Sequence, residues 1–362
     1  RTAAVDDDAP ARLLPREVDQ CRRELRNEIT TLWLTDRART SQPSPADEVR
    51  TALYYVGQVF WQALPQAHQL LEEALAKYYP GLRVERPWLR LASWMGGDRD
   101  GNPFVTHAVT AETLHLHRGL AVENHRHALQ DLSRRLSLSS RLISLPEPLK
   151  NWLDSRPAMP AHSAAIRSRY PQEPYRLILS LLAADLAEAS QDDMKARLLS
   201  TAQHTARVRL EDLTGPLQVI ASSIPEAVAE GPLAAVLRQL EIFGLFGARL
   251  DIREDSGRIN ASLGEILRAL GIAPDFEGQS ADERRSLLQR LLSEPVPSLA
   301  HHLGVRPETV ETWALFRLIR RARSIYGDDL FGPFIISMAH SAADVLAVLL
   351  MARWTGCADG MQ

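Results

Sequence analysis

Cysteine is nearly absent. Cys21 and Cys357 are the only two in 362 residues, far apart and without metal-type spacing, which argues against a disulfide scaffold and suits a reducing compartment. Long apolar runs are missing too, since none approaches the ~20 residues of a membrane span. Neither sign of charge dominates: 42 lysines and arginines stand against 45 acidic residues, a net charge of -3. That balance gives no overall pull toward nucleic acid or an anionic membrane, so any anion site has to be local. No internal repeat or low-complexity run is evident, and the stretch from Arg1 to Pro10 is acidic and rich in small residues, unlike a secretory signal. What is present is a 45% apolar composition, enough to bury a large core in two or three domain-sized units. The expectation is a soluble, cytoplasmic globular chain that binds neither nucleic acid nor membrane. Arg1 is not an initiator methionine and Gln362 follows no helix-ending signal, so the chain is expected to be cut from something longer.

Helical periodicity covers most of the sequence. Val18, Cys21, Leu25, Ile29 and Leu32 recur at three and four, predicting an amphipathic helix from Pro15 to Asp36. After the breaker cluster Ser41 to Pro45, Val49, Leu53, Val56 and Phe60 repeat the pattern, with Pro65 expected to kink or restart a helix running to Tyr79. Residues 80 to 90 read as irregular. Thr110 is expected to cap a helix carrying His115, His117, His125 and His127. Pairs two apart on a helix diverge by about 200°, so these histidines cannot share one ion, and they are expected to face solvent or a partner. A linker-like stretch from Leu145 to Pro174 leads into an apolar, buried helix from Tyr175 to Ser190, and another helix is expected from Pro225 to Phe243. From Ala248 to Arg253 the period changes to two, the mark of a strand. A helix from Ser256 to Ala269, one from Pro307 to Arg323, a fully buried strand from Phe334 to Met338 and a helix ending near Trp354 complete the reading. The fold class expected is mainly α: a helical scaffold plus the first strands of a parallel (β/α)8 barrel that cannot close within this chain. The domain organisation expected is a helical region over 1–92, a glycine-rich loop over 93–106, a helical region over 107–244 and a partial barrel over 245–362.

Two places concentrate chemistry. From Ser93 to Pro103, three glycines, three charges and a proline follow an apolar pair, a composition suited to neither helix nor strand. Such a loop can cradle an anion with backbone N–H groups, Arg99 adding charge beside the flat face of Trp94; equally, its carboxylates can serve only to bond their own backbone. Neither the dinucleotide nor the P-loop glycine pattern fits. On the strand, Arg249, Asp251 and Arg253 share one face, where unpaired burial would cost several kcal/mol. They must pair with each other, reach solvent, or face a charged ligand.

The loop from Ser93 to Pro103, with Val105-Thr106, resembles the glycine-rich loop of phosphoenolpyruvate carboxylase. Leu53-Tyr54-Tyr55, Glu173-Pro174-Tyr175-Arg176, Arg249 to Arg253, and Ile336 to Ala339 with Asp344-Val345-Leu346 resemble the same family in the same order. Phe104, Glu254-Asp255-Ser256 and Ala342-Ala343 depart from its usual residues.

The resemblance implies that Arg253 binds the phosphate of phosphoenolpyruvate, which suits a planar fork, and that Trp94 lines the apolar pocket for the substrate's methylene carbon. Asp98, Arg99, Asp100 and Arg249 are expected to support the loop and site. The implied reaction joins bicarbonate to phosphoenolpyruvate through carboxyphosphate and an enolate, giving oxaloacetate and phosphate, with Mg2+ or Mn2+ as cofactor and a homo-tetrameric assembly. By the same resemblance, the catalytic histidine motif would precede Arg1, and the metal ligands and a mobile arginine loop would follow the last strand. The chain is therefore expected to carry no metal ligand and to be inactive alone. The competing reading is a non-catalytic helical regulatory or assembly module that keeps the loop for packing. Another enolate-forming enzyme is a third.

Overall fold

Side-chain spacing writes helices into nearly every stretch of the chain. The computed structural model describes residues 15–35, 43–82, 84, 87–156, 160–297 and 304–357. The acidic Arg1–Pro10 stretch, Ser41 and Pro157 of the expected breakers, and the terminal 358–362 lie outside these residues. Contacts divide the chain into two units, Arg1–Pro43 and Ser44–Gln362. The first contains α1 (Pro15–Leu34), which buries none of its residues.

The second unit begins with α2 (Pro45–Tyr55), a π-helical turn (Val56–Phe60) and α3 (Trp61–Tyr78). The Ser44 and Asp47 side chains cap α2 reciprocally. The expected break at Pro65 does not occur. Helix α3 runs through that proline, and the irregularity sits a turn earlier, where the Trp61 N–H reaches back to the Val56 carbonyl. Then come β1 (Ala92–Ser93), the glycine-rich loop and α4 (His107–Arg135), whose cap is Thr106 rather than Thr110. The Thr106 hydroxyl accepts from the Val109 N–H, while Thr110 is buried and donates to the Gly96 carbonyl at 2.9 Å.

The stretch expected to be a linker contains two short helices, α5 (Glu147–Asp154) and α6 (Ala161–Arg169); their prolines stand at helix starts, where a missing N–H costs nothing. Helix α7 (Pro174–Ser190) is buried around most of its circumference and packs along α4. Next are α8 (Met194–Leu199) and α9 (Leu210–Ser223), both unforeseen. The single helix expected from Pro225 is divided into α10 (Glu226–Val228), a π-helical turn (Ala229–Leu233) and α11 (Ala234–Phe243), because Gly231 before Pro232 leaves helical geometry.

The remainder is β2 (Arg249–Asp255), α12 (Ser256–Ala269), α13 (Ala281–Ser293), α14 (Pro307–Tyr326), β3 (Phe331–Ser337) and α15 (Ala342–Thr355). Helix α13 is also unforeseen; its short apolar pattern is started by a Ser280–Glu283 capping box. The strands form one parallel sheet in the order β1-β2-β3. Between Leu250 and Ile252 the register slips, as β3 places Gly332-Pro333 between the partners Phe331 and Phe334; proline has no N–H for the ladder. Strand β3 is only partly buried, contrary to the expectation for Phe334 to Met338, because it is a sheet edge among the described residues. Met338 lies beyond it. Parallel strands separated by helices place all three carboxyl ends on one rim.

Two of the histidines expected at the surface are interior. His117 and His125 on α4 donate ring N–H groups to the Ala248 and Gly244 carbonyls at 3.0 and 2.8 Å, serving the turn that leads into β2. Burial holds both rings well below the usual imidazole range, His125 to about 4. No helix among the described residues is long and apolar enough to cross a membrane.

Candidate functional site

The glycine-rich loop is fastened to β2 by backbone before any side chain takes part. Arg249 donates its N–H to the Leu91 carbonyl, Arg253 to that of Gly97, and Arg99 donates back to the Arg253 carbonyl, at 2.8 to 2.9 Å. The loop is a one-sided continuation of the ladder, with Asp98 bridged to Arg253. Two glycines permit this. Gly97 lies so close that a Cβ there would collide with the Asp251 carbonyl, and Gly96 has φ +79° with its α-hydrogen face against Thr113.

The ladder brings Arg253 to the loop's carboxylates. Its Nη1 meets Asp98 at 3.2 Å and its Nη2 meets Asp100 at 2.6 Å, in a site about one-third open to solvent. The planar fork is thereby held in one orientation. An incoming anion has to share this guanidinium with both aspartates.

Arg99 turns the other way. It is 1% exposed, its Nε donating to Glu254 at 2.8 Å and its Nη1 to Glu311 of α14 at 3.1 Å. Glu254 alternates onto the face of Leu250 and Ile252, so a carboxylate replaces a core side chain there. Burial raises its pKa, against the pull of Arg99 and Arg258. Burial pushes Glu311 upward as well, but hydrogen bonds from the His107 ring and backbone N–H, together with Arg99, bring it down to about 2. The loop, β2, α14 and the start of α4 are thus tied by one chain of charge: Glu254, Arg99, Glu311 and His107. Sequence reading gave Glu254 only as a departure from the family's residues, outside the expected strand, and passed over Glu311 and His107, which no local pattern ties to the loop.

The three charges aligned on β2 do not form a network among themselves. Arg249, at the strand's amino end, pairs with Asp329 at 2.7 Å, remote along β2 from Arg253. Asp251 leaves Oδ1 without a hydrogen-bond partner, and burial raises its pKa while Arg249 opposes.

Around the rim the apolar groups are open. Trp94, one residue past β1, is 53% exposed, and Met338, just past β3, is 67% exposed. Met338 has φ +52°, a left-handed conformation uncommon for an unbranched non-glycine residue, and its carbonyl accepts from the Ser256 hydroxyl at 2.6 Å. The carboxyl ends of three strands therefore present an indole, a guanidinium held by two carboxylates, and a thioether. Among the described residues no group of three or more histidine, cysteine, aspartate or glutamate side chains gathers to hold a metal ion.

This arrangement fits what the chain is similar to. The family model for phosphoenolpyruvate carboxylase matches residues 2–362. A phosphoenolpyruvate carboxylase of Roseiflexus castenholzii is 34% identical over 343 residues, covering 92% of this chain and 36% of that protein. One from Pseudomonas fluorescens is 35% identical over 352 residues, with 95% and 37% coverage, and one from a Synechococcus strain is 32% identical over 362 residues, with 95% and 36% coverage. The chain thus spans little more than a third of the length of these relatives. With the match running through the helical scaffold, the glycine-rich loop and all three strands, the chain belongs to the phosphoenolpyruvate carboxylase family.

Proposed function

We propose that this chain supplies the helical scaffold and part of the substrate site of a cytoplasmic, homo-oligomeric carboxylase. That enzyme joins bicarbonate to phosphoenolpyruvate, giving oxaloacetate and phosphate. The sheet is read as the first strands of a parallel (β/α)8 barrel, and its carboxyl rim as the edge of the catalytic cleft. The observation that carries the proposal is the placement of Arg253 there, oriented by two aspartates of a loop clamped to its own strand.

In this reading Arg253 grips the substrate phosphate through charge-assisted bonds, exchanging part of its contact with Asp98 and Asp100 for phosphate oxygens. Trp94 covers the methylene carbon and keeps water from the carbon that becomes nucleophilic. Arg99 positions the loop through Glu254 and Glu311 and does not touch substrate. The divalent cation implied by the family resemblance has no ligand cluster among the described residues, and no residue of this chain is assigned to it.

The pairing of Arg253 with two carboxylates also favours a second reading, a helical module in which the loop serves packing alone. Steady-state kinetics of the complete carboxylase carrying Arg253→Gln separates the two. Substrate binding through Arg253 predicts a KM for phosphoenolpyruvate raised about ten- to a hundredfold, the loss of a charge-assisted contact. An unchanged KM with a lower melting temperature would favour the packing module. Trp94→Ala should raise the same KM while leaving that for bicarbonate in place. The chain expressed by itself should form no oxaloacetate in a coupled assay with magnesium and bicarbonate; formation would contradict the division of labour proposed.

A further inference from the structure

Beneath the amino end of β2 lies a cavity of about 510 Å³, walled by the segments leading into all three strands and by α4 and α14. Arg118 of α4 lies against it, only 4% exposed. Its Nη2 donates to the Val208 carbonyl at 3.0 Å, and its Nε has no hydrogen-bond partner. The guanidinium lies 5.7 and 5.0 Å from the ring centres of Phe246 and Tyr326. Among the described residues no carboxylate lies within ion-pair distance of it; the buried Asp192, which pairs with Arg197, acts on it only through space. A guanidinium removed from water without an anion is costly, and aromatic faces offset only part of that cost.

The mouth of the cavity is close to balanced. Asp329 holds Arg249 and Arg90, and Asp328 holds Arg323. Glu211 and Glu241 face Arg209 across the rest of the lining. Five arginines against four carboxylates leave one positive charge in excess. The volume is that of a small-molecule site, larger than a bare ion needs.

We propose that this cavity binds a small organic monocarboxylate, its carboxylate paired with Arg118 and its apolar body laid against the edge-to-face pair of Phe246 and Tyr326. A single negative charge matches the surplus, whereas a phosphate dianion would exceed it by one charge. The buried guanidinium, whose Nε has no hydrogen-bond partner, carries the proposal, independently of the carboxylase reading.

Isothermal titration of the intact protein as encoded, with benzoate in one arm and inorganic phosphate in the other, tests it. Expected are saturable benzoate binding, phosphate binding that is weaker, and at least about a tenfold loss of benzoate affinity in Arg118→Gln, as for one charge-assisted contact. Crystals of the unaltered protein soaked in 4-iodobenzoate should show an anomalous peak inside the cavity, a readout that does not depend on the variant folding. No saturation, binding at crystal concentration only, tighter binding of phosphate, equal affinity in Arg118→Gln, or a peak elsewhere would each overturn the proposal.

Discussion

Arg99, at the carboxyl end of the sheet, and Arg118, beneath its amino end, are sequestered almost equally, at 1% and 4% exposure. They differ in what meets the charge. Arg99 has Glu254 and Glu311 on two of its nitrogens, whereas Arg118 has one carbonyl and two aromatic rings. A buried cation answered by carboxylates within its own fold is a fastening. One whose nearby carboxylate, Asp192, is committed to Arg197 and whose Nε is free, beside a cavity, points outward to a ligand. The partly exposed Arg253 stands between these cases, answered by Asp98 and Asp100 through a contact open enough to be shared.

The comparison breaks most decisively at Arg99. Arg99→Ala leaves the buried Glu254 with only Arg258 at 3.7 Å as a cationic partner among the described residues and removes one of Glu311's partners, and should lower the unfolding free energy in urea by roughly 3 to 5 kcal/mol; a loss under 1 kcal/mol would show that the pair adds no net stability. Acid comes next, acting on a group buried neutral. The folded His125 ring stays neutral down to about 4, while in the unfolded chain it takes up a proton near its ordinary value of 6.5. Stability should therefore be full above that value and fall as pH drops from 6.5 toward 4, by roughly 3 kcal/mol in all. His125→Gln should flatten this slope. Glu311, held down to about 2, contributes in a lower window, its stabilisation present above the ordinary 4.5 and lost as pH falls toward 2.

A smaller effect sharpens the intermediate case. Asp98→Asn combined with Asp100→Asn releases Arg253 from competing carboxylates, so phosphate-bearing substrate should bind the complete enzyme more tightly, by about 1 kcal/mol, if the loop keeps its shape. Weaker binding would mean that the aspartates chiefly orient the guanidinium. The smallest change belongs to Arg249→Ala. It removes an exposed pair with Asp329 and should alter the melting free energy by less than about 1 kcal/mol.

Much of the secondary structure was legible because local signals agreed. Helix α7 announced itself by apolar residues on every side, α12 began where Asp255 caps it, and β2 showed the two-residue period. Errors arose where a local signal had more than one physical use. Prolines at 146, 160 and 174 read as linker punctuation but serve as helix starts. His117 and His125 read as surface groups, whereas their rings satisfy the backbone of a distant turn. At the candidate site, the loop and the three charges on β2 were visible in sequence. Which aspartates hold Arg253, and that Arg249 pairs with Asp329, were not, since each pairing joins residues about 80 to 155 positions apart.

Composition and periodicity by themselves determined a mainly helical chain, a loop too rich in glycine and charge for regular structure, and a strand bearing three charges on one face. Those properties follow from the side chains and their nearest neighbours along the backbone. The tertiary structure alone decided that Arg99 is enclosed with Glu311, 212 residues away, that Gly97 lies against the Asp251 carbonyl, and that Arg118 is sealed off with its Nε unpartnered. The partner of a buried charge is selected by where the chain returns in space, and no local pattern encodes that return.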